Sequence, residues 1–355
     1  MIAASATEKL ENFIARAAGA RRVRVVKLEP LTGGAIQDNR HLLAEIDEGA
    51  FAGKLDAVLR MDAPSRIATS HDRSAEFAIL KCAHRAGVKA PEPLWLCADA
   101  AVLGRPFFVM RRVEGAAAAH RLVKDAAGRG YGERLAAELG AELAKIHSIP
   151  WPQSELAFLP APARPDRGAS FNARGDSPAH PPALALIATY REFLDDLADP
   201  APAVEWGLAW LERNAPPQGA MTLVHRDFRT GNYLVNEGKV AAVLDWEFAG
   251  PGDPDEDLGW FLAKCWRFGK IALEAGGVGS RETFLAAYER TAGRTVDRGR
   301  IGYWEVMAHV RWAVIALQQA ERHASGAEES LELALTAHVV PELELEILDR
   351  TQDAA

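Results

Sequence analysis

Only three cysteines occur in 355 residues, Cys82, Cys97 and Cys265, and no two form a C-x-x-C pair. That scarcity excludes a disulfide framework and a cysteine-based zinc site, and it fits a reducing cytoplasm. The thiols read as inert buried groups rather than as a nucleophile or redox pair. Long apolar runs are also missing: no window offers the ~18 uncharged apolar residues that a membrane helix needs. Glu8, Glu11 and Asn12 interrupt any signal-peptide pattern at the amino terminus. Ser5 and Glu8 instead have capping-box spacing ahead of Leu10, Phe13, Ile14 and Ala17 on one helical face. Positive charge is not in excess, with 41 Lys and Arg against 49 Asp and Glu and a net charge of −8. Nucleic-acid affinity comes chiefly from cations on phosphates, so a small molecule is the expected partner. The oligomeric state is left open.

What is present is an ordinary globular composition, 48% hydrophobic and 25% charged, in a chain too long for one core. Short strands are expected at 22–28, 41–46 and 56–61, a helix at 74–85, and two more strands near 94–97 and 106–110. After Gly115 the pattern turns helical, with Leu135, Leu139, Leu143 and Ile146 on one stripe and Pro150 closing it. Residues 150–182 read as an irregular loop, followed by helices near 183–197 and 203–213, a strand-rich stretch at 221–247 and helices to the end. This order predicts an α+β protein with a small mixed β lobe and a larger, mostly helical lobe carrying a β-hairpin.

The chemistry concentrates in His225-Arg-Asp227-x-x-x-x-Asn232, followed by β-formers at 233–235 and 240–244 around the turn residues Asn236-Glu-Gly238, and then by Asp245-Trp-Glu247. A hairpin brings its outer ends together, so Asn232 and Asp245 should lie side by side. An amide oxygen and a carboxylate are hard donors suited to Mg²⁺, which keeps several waters and takes other ligands from phosphates. Asp227, in the same loop as Asn232, is placed to accept a hydroxyl proton. Trp246 reads as packing, and His225 as a brace for the loop backbone.

This segment resembles the catalytic loop and metal site of the protein-kinase-like fold. More specifically, the chain is similar to the aminoglycoside phosphotransferase family and its choline-kinase-like relatives. The resemblance implies a two-lobed kinase-like architecture: a nucleotide-binding lobe at 1–110, a hinge at 111–116, and a helical lobe at 117–355 holding the catalytic loop and acceptor site. It implies ATP and Mg²⁺ as cofactors, Asp227 as catalytic base, Asn232 and Asp245 as metal ligands, and Glu247 as an aid to a second ion. By the same resemblance Gly33 and Gly34 belong to the loop over the ATP phosphates, Arg60 stands where the family usually has a strand lysine, and Glu76 pairs with it. Met110 and Arg112 fall in the segment that meets adenine, and an Asp in the 253–257 stretch lends structural support.

The match has departures. Gly33-Gly34 is short of a full G-x-G-x-x-G, and Arg for Lys at 60 is not automatically conservative, although it keeps a permanent cation. No A-P-E follows Asp245, which argues against a protein kinase. The expectation is an ATP-dependent phosphotransferase acting on a hydroxyl of a small molecule, with no nucleic acid and no membrane. A nucleotide-binding pseudokinase acting as an interaction module is the alternative, opposed by intact Asp227, Asn232 and Asp245; a metal-dependent hydrolase is a further one. Related kinase-like domains occur fused to acyl-CoA dehydrogenases, so the resemblance leaves the acceptor open.

Overall fold

The computed structural model describes residues 4–31, 38–62, 70–162, 181–217 and 219–352, and in it the strand-forming stretches of the first 111 residues join in one sheet. In chain order the elements begin with α1 (Ala4–Ala18), β1 (Val23–Pro30), β2 (Asp38–Ile46), β3 (Gly53–Met61), α2 (Arg73–Arg85), β4 (Pro93–Cys97), α3 (Ala100–Leu103) and β5 (Phe107–Arg111). They continue with α4 (Ala119–Gly128), α5 (Gly132–His147), α6 (Pro182–Asp195), α7 (Pro202–Arg213), β6 (Thr222–Val224), β7 (Tyr233–Asn236) and β8 (Lys239–Val243). The last are β9 (Gly250–Gly252), α8 (Pro254–Leu262), α9 (Arg281–Ala292), α10 (Arg298–Ala324), α11 (Leu331–Thr336) and α12 (Val340–Thr351). The class is α+β, as expected.

Two compact units emerge. The first comprises Met1–Leu122, Ser154–Phe158 and Gly231–Ala249; the second comprises Val123–Gln153, Leu159–Thr230 and Gly250–Ala355. The hairpin β7–β8 therefore packs with the unit that holds the large sheet.

In the first unit the sheet runs β1-β2-β3-β5-β4, antiparallel throughout. α1 covers one face, burying Leu10 and Ile14 with Leu42, Leu59, Phe107 and Val109. It already includes Ala4, so Ser5 lies inside the helix rather than at the expected cap; alanine is the strongest helix former and extends the first turn. β3 has neighbours on both sides and is buried from Ala57 to Met61, which carries Arg60 into the interior. α2 is capped by Asp72, whose side chain accepts from the Ala75 amide, and this fixes Glu76 in the first turn, where a carboxylate suits the helix dipole. The turn between β7 and β8 has positive φ at both Glu237 and Gly238, 50° and 73°, the backbone that closes two-residue hairpins.

In the second unit Leu135, Leu139, Leu143 and Ile146 form a fully buried stripe on α5, as their spacing predicts, and α5 packs on α9. The helices approach closely at Gly140, where a Cβ would lie 2.3 Å from the Phe284 carbonyl oxygen. Gly140→Ala is therefore expected to cost about 1–3 kcal/mol through overpacking despite the better helix propensity of alanine, read from urea unfolding. A second core joins α6, α7, α10 and α12 through Ile187, Leu208, Val310 and Ile347. No helix among the described residues is long and apolar enough to cross a membrane. The three cysteines are free, and burial pushes each thiol up from its usual range.

Candidate active site

The first unit supplies a buried cation among carboxylates. Arg60 is 4% exposed. Its Nε lies 2.9 and 3.1 Å from the two oxygens of Glu76, and its Nη1 lies 3.1 Å from Asp245 and 3.4 Å from the Asn39 amide oxygen. Nη2 is 4.0 Å from Glu247. Burial alone would lower the Arg60 pKa, but Glu76, Asp245 and Glu247 outweigh it and hold the guanidinium firmly charged. Arg73 backs the cluster from α2, pairing with Glu76, with Asp62 at 2.9 Å and with Glu247 at 3.7 Å. Glu247 is pushed up to about 7 because burial, with Glu76 and Asp245 beside it, outweighs the attraction of Arg60 and Arg73. The pairing of Arg60 with Glu76 is thus present, and two further acids share the cation.

The hairpin brings its two ends together at the backbone. The Leu244 amide donates to the Asn232 carbonyl at 2.8 Å, so the entry and exit of the ribbon meet. Asp245 follows in a left-handed conformation, φ 59° and ψ 65°, with its side chain 39% exposed, whereas Asn232 is buried. The donor set fits Mg²⁺: one amide oxygen and one accessible carboxylate, both hard. No cluster of three His, Cys, Asp or Glu among the described residues is arranged for a metal ion, so an ion held by this pair would complete its shell from phosphate oxygens and water. Trp246 is buried and donates its Nε1 to the Val243 carbonyl at 3.2 Å, a packing role.

Met110 and Arg112 belong to the same unit. Met110 lies on β5 opposite Val58 and Pro93, and Arg112 pairs with Asp56 at 3.2 Å through its side chain and again through its backbone amide. Gly33 and Gly34 lie outside the described residues.

The second unit braces Asp227. The fully buried carboxylate of Asp257, in the first turn of α8, accepts the His225 amide at 2.6 Å and the Arg226 amide at 2.7 Å. His147 Nε2 donates to the same carboxylate at 3.1 Å, while its Nδ1 meets the Tyr288 hydroxyl at 2.8 Å. Burial would raise the Asp257 pKa, but the hydrogen bond and charge of His147 and the neighbouring His225 hold it below the usual carboxylate range. Arg226 takes a positive φ of 62°, and the Asp227 amide then donates to His225 Nδ1 at 3.2 Å, so His225 braces the loop. Asp227 Oδ1 accepts from Trp260 Nε1 at 3.2 Å and from Arg229 Nε at 3.1 Å. The next stretch of chain leads through Gly231, φ 113°, to Asn232.

Sequence reasoning missed Trp260, His147 and Arg73. The sequence carries a partial signal for Trp260, which stands one helical turn beyond Asp257 in α8. Asp253 caps α8 through the Asp255 amide, so both acids of the 253–257 stretch have structural work: one at the helix, one at the loop.

A family model described as the phosphotransferase enzyme family matches residues 27–304. Among curated proteins, acyl-CoA dehydrogenase family member 11 of Gallus gallus is 28% identical over 303 residues, 79% of this chain and 36% of the relative. The chain thus spans about a third of the length of such relatives. A solved Ralstonia eutropha JMP134 protein described as an aminoglycoside phosphotransferase superposes with a TM-score of 0.72 at 19% identity, covering 98% of each chain. An aminoglycoside phosphotransferase solved with AMP-PNP and hygromycin B gives 0.57 at 17% identity, covering 98% of this chain and 99% of that one. At such identities these structures speak for the fold, which is protein-kinase-like. The family model reaches from β1 across the hairpin into α10, taking in every element that carries a site residue, and the chain belongs to the phosphotransferase enzyme family.

Proposed function

We propose that this phosphotransferase moves the γ-phosphoryl group of ATP to a hydroxyl of a small molecule, with Asp227 as base and with Asn232 and Asp245 holding Mg²⁺. One observation supports the reading: the ribbon closes Leu244 onto Asn232 through the backbone, and Asp245, the next residue, sets an accessible carboxylate against a cation fixed by Glu76. Only four residues of chain separate Asp227 from Asn232. The relative solved with AMP-PNP supports a nucleotide as donor, and the free thiols suit the cytoplasm.

Transfer of this kind depends on positioning and on charge stabilisation. Arg60 offers a permanent cation toward the phosphates, held in place by Glu76, once its Nη1 is released from Asp245. Asn232 and Asp245 would hold the divalent ion, which when bound draws charge from the phosphate oxygens. Asp227, its Oδ1 fixed by Trp260 and Arg229, orients the acceptor hydroxyl and takes its proton as the new bond forms. Gly33, Gly34, Met110 and Arg112 complete the nucleotide contacts in this proposal.

A second reading has one observation in its favour. Arg60 is already paired with Asp245, so a module that binds nucleotide without turning it over would keep that ion pair closed. A panel of hydroxyl compounds, metabolites and antibiotics together, separates the two when scored for magnesium-dependent ADP formation, with the Asp227→Asn protein as blank. Formation above that blank is expected for one acceptor class. Nucleotide binding with none anywhere in the panel would favour the non-catalytic module.

A further inference from the structure

Arg229 is a partly exposed cation of the second unit. Its guanidinium lies over the Trp266 ring, 4.8 Å from the centroid, and its side chain is 29% exposed. Nε is committed to Asp227, and Nη1 has only a long 3.5 Å contact with the Thr230 carbonyl. Nη2 has no hydrogen-bond acceptor among the described residues. Arg281 and Arg350 of the same unit each span two carboxylates instead: Arg281 reaches Glu274 at 2.6 Å and Glu305 at 2.7 Å, and Arg350 reaches Glu346 at 2.7 Å and Glu305 at 3.4 Å. A planar fork laid on an aromatic ring is stiff, and a stiff fork with open donors suits an oxyanion.

We propose that Arg229 is the acceptor-recognition residue and that the acceptor is a hydroxylated anion, its carboxylate or phosphate oxygen received by Nη1 and Nη2. This rests on the phosphotransfer reading above and names the substrate class of the same site. Because one guanidinium touches both Asp227 and the anion, the acceptor carries its anionic group only a few bonds from the hydroxyl that is phosphorylated. The cation also offsets the repulsion that a second negative charge would meet beside Asp227.

The test compares magnesium-dependent ADP formation on three acceptor sets: hydroxycarboxylates and sugar phosphates, uncharged polyols and sugars, and amino alcohols with aminoglycosides. Wild type should prefer the first set, and its two halves tell carboxylate from phosphate. Arg229→Ala should raise the KM of the anionic acceptor about 10–100-fold, the worth of a charge-assisted hydrogen bond, with the KM for ATP unchanged. Arg229→Lys, which keeps the charge but not the fork, should recover part of that loss. A purely structural role through Asp227 would instead lower kcat for every acceptor and leave KM alone. Better use of neutral or cationic acceptors, or an anion KM unmoved in Arg229→Ala, overturns the proposal and leaves phosphotransfer standing. Absence of ADP formation with all three sets overturns phosphotransfer and this proposal together.

Discussion

Asp227→Asn is expected to lower kcat by about 10²–10⁴, the usual worth of a positioned general base. The substitution is nearly isosteric. The amide oxygen of asparagine can still accept from Trp260 and Arg229, which now meet Oδ1 at 3.2 and 3.1 Å, and the backbone amide keeps its contact with His225. Folding should therefore be retained, with a melting temperature close to wild type. What disappears is the basicity that receives the hydroxyl proton. The KM for ATP should change little, because the residues proposed to hold nucleotide and metal belong to the other unit. Steady-state kinetics with saturating Mg·ATP and an acceptor from the panel make the measurement. A variant within threefold of wild type would remove Asp227 from the mechanism.

Some of this arrangement is legible in the sequence and some is not, for physical reasons tied to particular residues. Turn chemistry is local, so Asn236-Glu237-Gly238 announces the hairpin and hence the meeting of Asn232 with Asp245. Helical spacing announces the α5 stripe in the same way. Pairings across the sheet depend on register instead. That β3 stands inside the sheet, with Arg60 opposite Asn39 on one side and Phe108 on the other, follows from strand order, which no short window encodes. Glu76 is expected beside Arg60 through family resemblance, but the sharing of that cation with Asp245 and Glu247 needs the fold. The same holds for His147, 110 residues before Asp257, and for the ring of Trp266 beneath Arg229. Where a contact joins distant stretches, composition and spacing carry no trace of it.

The brace beneath the catalytic loop gives the second large effect. Asp257→Ala is expected to cost about 3–5 kcal/mol, because it removes a buried acceptor shared by two backbone amides and an imidazole and leaves those donors unsatisfied. All three donors lie within 3.1 Å of the carboxylate. Asparagine should not rescue it. Oδ2 accepts from His225 and His147 while Oδ1 accepts from Arg226, so either amide orientation sets an NH₂ against an N–H. A role limited to filling space would leave Asp257→Asn near wild type, and that result in urea unfolding would sink the idea. The pH dependence follows from the sign of the shift. Since the folded pKa lies below the unfolded value of about 3.9, Asp257 contributes its full stabilisation above that value and loses it as pH falls through the lower folded pKa. Both variants should therefore lie far below wild type near neutral pH and approach it on the acid side. Because the same carboxylate fixes the amides of His225 and Arg226, folded protein of either variant should also lose turnover without a matching loss of nucleotide binding.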